Sequence, residues 1–138
     1  MASEAHVLFR LGPQAFAITL GAVKDIARAP IITPVPHAPT SLRGLCVMRE
    51  ELAPVLDVRA RLGFKPLNKI GTVLLVEQDG ERVALLVDRV EEVLHLPVLP
   101  PQVTARDPLW QLVVAGIIHR AGDTVVVLDV DGLLSVEA

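Results

Sequence analysis

The fold is decided by a stretch of sequence that occurs twice. It reads Phe16-Ala-Ile-Thr-Leu-Gly-Ala-Val-Lys-Asp-Ile-Ala-Arg-Ala-Pro30 and returns as Val83-Ala-Leu-Leu-Val-Asp-Arg-Val-Glu-Glu-Val-Leu-His-Leu-Pro97, at an offset of 67 residues and without a gap. A second block, from Gly44 to Val58, returns from Gly116 to Val130 at an offset of 72. Two copies are too few for a solenoid, which needs at least about three units. The sequence therefore predicts an internal duplication, with two similar subdomains packed together.

The segments of both copies indicate mainly β structure. They are short runs of Val, Leu and Ile, with hairpin turn signals at Asp79-Gly80 and Ala121-Gly122-Asp123. Prolines fill the interval between the two blocks of each copy, which predicts extended connections there because proline cannot donate to a central strand. Strand length and turn spacing are typical of small barrels. The predicted strands cover residues 7–11, 15–18, 73–76, 83–87, 113–119 and 124–128.

Short helices are predicted at two kinds of place. Leu20–Arg28 and Asp88–Leu94 carry apolar residues at helical spacing, although their β-branched content also allows strands. Asp57 and Asp129 each follow a predicted strand, where an N-capping acid would close a strand-to-helix corner. Because the same Asp occurs in both copies, we interpret it as structural.

Composition narrows the class of protein. The chain has 138 residues, with 13 Lys and Arg against 16 Asp and Glu, a formal charge of −3 and 3% aromatic residues. This length suits a single domain over residues 1–138, with sub-barrel halves at about 6–65 and 70–136 that are free to exchange strands. An acidic chain with few aromatics lacks what nucleic-acid binding requires. One cysteine, no signal-like start and short apolar runs predict a cytoplasmic protein.

Residues that could carry chemistry do not converge in the sequence. The four histidines are scattered, and Cys46 lies in an apolar run where we interpret it as a small buried hydrophobe. Asp129-Val-Asp-Gly132 resembles the start of a calcium loop, but the later oxygen ligands do not follow, so we interpret it as a capped corner. No nucleophile elbow or phosphate-binding loop occurs. The sequence therefore predicts a non-enzyme with no catalytic, metal-binding or cofactor-binding residue.

Several ordered motifs resemble the CheW-like family. The string Arg43-Gly-Leu-Cys-Val-Met-Arg49, followed by Pro54-Val-Leu-Asp-Val-Arg-Ala-Arg-Leu-Gly63, is similar to the family's Gly-Val-x-Asn-Leu-Arg-Gly strand and its Pro-Val-x-Asp-Leu-Arg continuation. Leu86-Val-Asp-Arg-Val-Glu-Glu-Val-Leu94 resembles a second family signature, and the segment from Gly116 to Leu134 resembles the closing one. The resemblance covers nearly the whole chain.

The resemblance implies a fold of two five-stranded SH3-like β-barrels with a hydrophobic junction. It also implies a function, because CheW-like proteins are adaptors that couple chemoreceptors to the histidine kinase CheA and catalyse nothing. In the family, the kinase's regulatory domain has the same fold and pairs with the adaptor through barrel ends, while the receptor's cytoplasmic hairpin tip lies against the groove between barrels. These two are the expected partners, with no nucleic acid and no direct membrane insertion.

Carried over position by position, the resemblance implies a set of partner-binding residues. Val23 and Asp25 match the Val-x-Glu of the family segment linked to receptor and kinase contacts, and Gly44 and Arg49 match the Gly and Arg of its central motif. The complete predicted set is Val23, Asp25, Ile26, Gly44, Arg49 and Val90.

The sequence departs from the family pattern beside Arg49. Glu50 stands where the family has Gly, and since a non-Gly residue at positive φ costs roughly 1 kcal/mol, we expect this turn to take another shape. Val47 and Met48 replace the usual Asn and Leu. These departures favour an adaptor of an alternative chemosensory pathway, such as one governing pili or gliding.

Two other classes of function stay open. A small-ligand sensor would use the groove as a pocket, and metabolites would then shift its melting temperature without any protein partner. An enzyme would require titratable groups gathered in one cleft, for which His119, Asp123 and Glu51 are the residues to examine.

Overall fold

A computed structural model describes residues 4–66, 71–101 and 108–135. Strands dominate this part of the chain, with three short α-helices and one 3-10 turn at Leu20–Ala22. The strands are β1 His6–Leu11, β2 Gln14–Thr19, β3 Val23–Arg28, β4 Leu42–Met48, β5 Glu51–Asp57, β6 Thr72–Gln78, β7 Glu81–Val87, β8 Arg89–Leu94, β9 Val114–Arg120 and β10 Asp123–Leu128. The helices are α1 Val58–Arg61, α2 Pro108–Val113 and α3 Val130–Ser135.

The strands form two five-stranded sheets, one in each of two compact units. Unit 1 comprises the described residues of Met1–Gly21 and Val90–Glu137, and its sheet has the order β8-β1-β2-β10-β9. Unit 2 is Ala22–Arg89, and its sheet has the order β3-β6-β7-β5-β4. The predicted fold class, mainly β with two five-stranded subdomains and a few short helices, is confirmed at this level.

The two sheets have the same topology when β1 to β5 are equated with β6 to β10. The parallel pair of unit 1 sets Ala17 opposite Val127, and the parallel pair of unit 2 sets Ala84 opposite Val55. These partners are related by the sequence offsets of 67 and 72. Each sheet takes the first two strands of one copy and the last three of the other. Residues 67 apart in sequence are therefore topologically equivalent, and the copies exchange strands.

Because the copies exchange strands, the boundaries of the compact units differ from those of the sequence repeats. The chain passes between units at Gly21/Ala22 and at Arg89/Val90. Parallel strands cannot be joined by a hairpin. Each parallel pair, β2 with β10 and β7 with β5, combines strands from different copies. The halves 6–65 and 70–136 stay a prediction about the repeats, and residues 70 and 136 lie outside the described residues.

Each unit has an apolar core built from alternate strand positions. Successive side chains of a strand point to opposite faces of its sheet, so residues two apart pack together. Unit 1 buries Leu8, Ala15, Ala17, Ile118 and Val125 in one cluster. Unit 2 buries Cys46, Met48, Ala53, Val55, Val73, Leu75, Ala84 and Leu86.

The helices predicted within the two copies of the repeated block are wrong, and the strands that their β-branched content also allowed are found instead. Leu20–Arg28 contains only the 3-10 turn before β3, and Asp88–Leu94 contains β8. Half-buried and exposed residues alternate along β3, which is the period of a strand with one face covered. Strand pairing with β6 decides the conformation of the β-branched Val23 and Ile26, since these residues lose side-chain freedom in a helix.

The repeated aspartates cap helical corners, as predicted. Asp57 precedes α1, and its Oδ1 accepts from the backbone N–H of Ala60 at 3.2 Å. Asp129 precedes α3, and its Oδ1 accepts from the N–H of Asp131 at 3.1 Å. The helix α2 was not predicted from the sequence. None of the helices formed by the described residues combines the length and the apolar character needed to cross a membrane.

Candidate functional site

Most of the predicted partner-binding residues lie in unit 2. Val23, Asp25 and Ile26 are on the edge strand β3, and Gly44 is on β4. Arg49 begins the β4–β5 turn, and its Nε lies 3.9 Å from Oδ2 of Asp25, with both side chains about half exposed. Asp25 and Arg49 are thus brought together although 24 positions separate them in sequence. Val90 belongs to unit 1, on β8.

The β4–β5 turn does not take another shape, so that prediction is wrong. Arg49 and Glu50 have φ values of 52° and 66°, and Met48 pairs directly with Glu51. Two positive φ values in a two-residue hairpin loop are the pattern of a type I′ turn. The hairpin loops Asp79-Gly80 and Ala121-Gly122 have the same pattern, but with Gly at the second position. Register in the sheet therefore outweighs the conformational cost of a side chain at Glu50.

Replacing Glu50 by Gly is expected to stabilise the protein. A left-handed conformation costs a non-Gly residue about 1–2 kcal/mol, and glycine's extra unfolded-state entropy offsets part of the gain. We expect Glu50→Gly to raise the free energy of unfolding by about 0.5–1 kcal/mol in urea denaturation. The matched control is Gly122→Ala, which should lower it by a similar amount. A Glu50→Gly protein less stable than the parent would contradict this account of the turn.

Gly44 has a structural reason to be glycine. Thr33 and Leu45 form an isolated antiparallel bridge with two backbone hydrogen bonds of 2.8 Å, which ties the segment after β3 to the edge strand β4. Gly44 has φ 146°, and a Cβ there would lie 2.1 Å from the carbonyl oxygen of Thr33. Gly116 occupies the equivalent place in unit 1, where Leu99 bridges to Ile117. The close backbone approach requires glycine in both units.

An apolar groove lies on unit 2 beside these residues. It has a volume of about 550 Å³ and lies between the chain that follows β3 and the β4–β5 hairpin. Ile31 is 88% exposed, and the directly opposed pair Val47 and Leu52 are 65% and 67% exposed. None of its lining residues is charged. They are Ala27, Pro30, Ile31, Thr33, Leu45, Cys46, Val47 and Leu52.

The duplication supplies an internal comparison for this surface. Val47 and Leu52 correspond to His119 and Thr124 of unit 1 at the offset of 72, and these two are likewise opposed across a hairpin. The same scaffold position is therefore apolar in one unit and polar in the other. Because the fold accepts polar residues there, folding alone does not account for the exposed apolar pair in unit 2. Contiguous exposed apolar surface of this kind marks sites of interaction.

Two of the acidic residues considered for catalysis form ion pairs with arginines. Glu51 accepts from Arg82 at 2.7 Å in unit 2, while Asp123 of unit 1 lies 3.4 Å from Arg10. Burial raises the pKa of the Cys46 thiol, which keeps it protonated and weakly nucleophilic. Across residues 4–66, 71–101 and 108–135, no three His, Cys, Asp or Glu side chains gather in a way that could hold a metal ion.

The groove residues Ile31, Val47 and Leu52 are candidate functional residues that the sequence analysis missed. Val47 was noted only as a departure from the family motif. Comparison of the two copies position by position could have found this pair, because Val47 and Leu52 are apolar where the second copy has His and Thr. Ile31 carries no such signal, since it lies just after the first repeated block, which ends at Pro30.

The fold and this surface together define a class: a duplicated β-sheet protein with an exposed apolar groove. The family model for the CheW-like domain matches residues 5–138. The chain belongs to the CheW-like family, and the predicted resemblance is confirmed.

Individual relatives agree with this membership, and a solved structure has the same fold. The chain is 38% identical over 90 residues to Chemotaxis protein CheW of Rhizobium meliloti (strain 1021), a match covering 64% of this chain and 58% of that relative. It is 32% identical over 126 residues to Protein PilI of Pseudomonas aeruginosa, covering 86% of this chain and 68% of that relative. The crystal structure of scaffolding protein TtCheW from Thermoanaerobacter tengcongensis superposes with a TM-score of 0.85 at 23% identity, covering 98% and 94% of the two chains, and shares the fold.

Proposed function

We propose that the protein is a non-enzymatic cytoplasmic adaptor that couples a chemoreceptor to a CheA-type histidine kinase. Family membership over residues 5–138 supports this function. The observation that carries it is the exposed, uncharged groove of unit 2, because an adaptor requires surface for a partner rather than groups for chemistry. The match spans 58% of the length of the Rhizobium relative.

The kinase's regulatory domain is the partner that we assign to the groove. The family resemblance implies that this domain shares the fold and pairs through barrel ends, and the groove lies beside a hairpin of unit 2. Its uncharged lining favours an apolar counterpart, and burying Ile31 and Leu52 would remove about 25 cal/mol of unfavourable hydration per Å² of apolar surface. Such a contact would depend little on salt.

We assign to the charged rim beside the groove, formed by Arg49 and Asp25, a role in orienting the partners. Arg49 and Asp25 form a half-exposed pair, which contributes less than about 1 kcal/mol to folding. Charges at the rim of an interface set registry and suppress wrong partners more than they add affinity. The family resemblance is also the basis on which we propose Val23, Ile26 and Val90 as contacts. The similarity to PilI supports the proposal of an alternative pathway that governs pili.

Charge reversal at the rim tests the proposed function. We expect Arg49→Glu to weaken co-elution with a CheA regulatory domain or with a receptor hairpin fragment, while the melting temperature changes by a few degrees at most. The double variant Asp25→Arg/Arg49→Glu restores the pair with its charges exchanged and should keep the fold.

Arg28→Glu on β3 is the matched control for Arg49→Glu, because Arg28 is also exposed and its replacement makes the same change of charge. It should leave both associations unchanged. If the unaltered protein binds neither partner at concentrations up to about 100 μM, the adaptor proposal is wrong, since single contacts of such adaptors are expected to be micromolar.

A further inference from the structure

The edge of the unit 2 sheet presents backbone groups beside the apolar groove. β4 is an edge strand of this sheet, and β5 is its neighbour. Met48 and Glu51 flank the two-residue loop as a hydrogen-bonded pair, and such pairs alternate with non-hydrogen-bonded pairs along an antiparallel ladder. The next pair, Val47 with Leu52, is therefore non-hydrogen-bonded. The N–H and C=O of Val47 consequently point away from β5, toward the edge of the sheet.

Leu45 shows what a residue in this orientation binds. It lies two positions before Val47 and opposite Pro54, which has no N–H to donate. Its N–H and C=O both form hydrogen bonds of 2.8 Å with Thr33. An antiparallel continuation of that bridge would pair Ile31 with Val47, but Ile31 is strongly exposed. Within residues 4–66, 71–101 and 108–135, the N–H and C=O of Val47 have no backbone partner.

The groove of unit 2 lies where this ladder stops. It is lined by Thr33 and Ile31 on the chain after β3, by Val47 and Leu52 on the β4–β5 hairpin, and by no charged residue. An extended segment placed along the edge of β4 would bond to the backbone of Val47. Directly opposed residues share a face of the sheet, so the side chain opposite Val47 would lie beside Val47 and Leu52. The groove therefore suits an extended segment with an apolar residue at that position.

The equivalent edge of unit 1 is protected by charge. Native proteins commonly place charged side chains on sheet edges, because an uncharged edge invites pairing with another chain. At the offset of 72, His119 is the equivalent of Val47. The next residue, Arg120, forms an ion pair of 2.6 Å with Glu92 on β8, the other edge strand of that sheet. The corresponding residue of unit 2 is the uncharged Met48, so this protection is missing beside the groove.

We propose that the groove holds its partner by strand addition, in which an extended segment of the partner pairs with the backbone of Val47. The inference rests on the proposed function, because the CheA regulatory domain is the partner assigned to this groove. Main-chain hydrogen bonds give such contacts their affinity, and the alternate side chains give them specificity. The partner residue opposite Val47 is β-branched or aromatic, since such cross-strand pairs stabilise a sheet.

Proline and alanine at position 47 separate strand addition from contact through side chains. Val47→Pro removes the N–H that the partner would use, and proline is accepted on an edge strand where the N–H faces solvent. Val47→Ala keeps the N–H but shortens the side chain. In calorimetric titrations with a CheA regulatory domain, we expect Val47→Pro to weaken binding at least about fivefold more than Val47→Ala, because it leaves a buried carbonyl of the partner without a donor.

His119→Pro is the matched control, because it makes the same backbone change at the equivalent edge position of unit 1. It should leave the affinity for the CheA regulatory domain unchanged. Amide hydrogen exchange of the unaltered protein adds a measurement that does not depend on how a variant folds. We expect the N–H of Val47 to exchange at least about tenfold more slowly in the complex, and the N–H of His119 to keep its rate.

The possible failures point to different errors. Equal weakening by Val47→Pro and Val47→Ala, or an unchanged exchange rate at Val47, would overturn strand addition and leave the assigned partner in place. Failure of the CheA regulatory domain to bind the unaltered protein would overturn the assigned partner and strand addition together. Slower exchange at Val47 in the protein alone, increasing with its concentration, would assign this edge to a second copy and would also overturn the proposal.

Discussion

Leu52→Asp is expected to weaken binding of a CheA regulatory domain by at least about tenfold. Leu52 is 67% exposed at the rim of the unit 2 groove, so it contributes little to the core, but a partner seated on the groove would bury it. A buried carboxylate without a partner costs more than the 1.4 kcal/mol that corresponds to a factor of ten. Isothermal titration calorimetry or biolayer interferometry measures the change directly.

The duplication supplies the control for this experiment. Thr124 occupies the equivalent strand position in unit 1, so Thr124→Asp introduces the same residue into the same local structure. Both variants should lose at most about 1 kcal/mol of stability, the range of strand propensities, and only Leu52→Asp should lose affinity. Equal affinities for Leu52→Asp and the unaltered protein would show that the groove is not the kinase contact.

Gly44→Ala is expected to destabilise unit 2 by about 3–5 kcal/mol. The new Cβ would lie 2.1 Å from the backbone oxygen of Thr33, which cannot move without breaking its bridge to Leu45. Alanine at φ 146° adds backbone strain of about 1–3 kcal/mol, and overpacking adds a similar amount. Chemical denaturation monitored by circular dichroism should show the loss. Any accompanying loss of partner binding would then follow from the damaged fold.

Gly21→Ala is the matched control for Gly44→Ala. An added Cβ at Gly21 would have Thr19 Oγ1 as its nearest contact at 3.8 Å, which is an ordinary van der Waals distance. We expect its free energy of unfolding to stay within about 0.5 kcal/mol of the parent. A Gly44→Ala protein as stable as Gly21→Ala would rule out the close backbone approach as the reason for this glycine.

The duplication was the part of the fold that the sequence predicted best. The offsets of 67 and 72 hold residue by residue in the strand registers, because both copies must keep the same side chains facing their cores. The local sequence pattern did not predict the strands β3 and β8, because their apolar spacing fits a helix as well as a strand. Only pairing with β6 or β1 decides between the two conformations. Which copy supplies a neighbouring strand depends on tertiary contacts, and short-range sequence patterns do not encode these.

The sequence predicted only part of the candidate site, because the rest also depends on tertiary contacts. The family motif led to Asp25 and Arg49, which the structure brings to 3.9 Å of each other. Glu50 was expected to change the turn, yet strand register on both sides holds it at positive φ. The groove escaped prediction because exposure of Leu52 depends on what covers a strand, and periodicity assigns the same apolar residue to a core or to a surface.

The proposed adaptor function requires that one chain hold a kinase and a receptor at the same time. Size-exclusion chromatography with multi-angle light scattering of the protein, a CheA regulatory domain and a receptor hairpin fragment tests this requirement. We expect a single species whose mass is that of all three components, which disappears when the protein is omitted. Displacement of one partner by the other, or the same two-component complex without the protein, would contradict it.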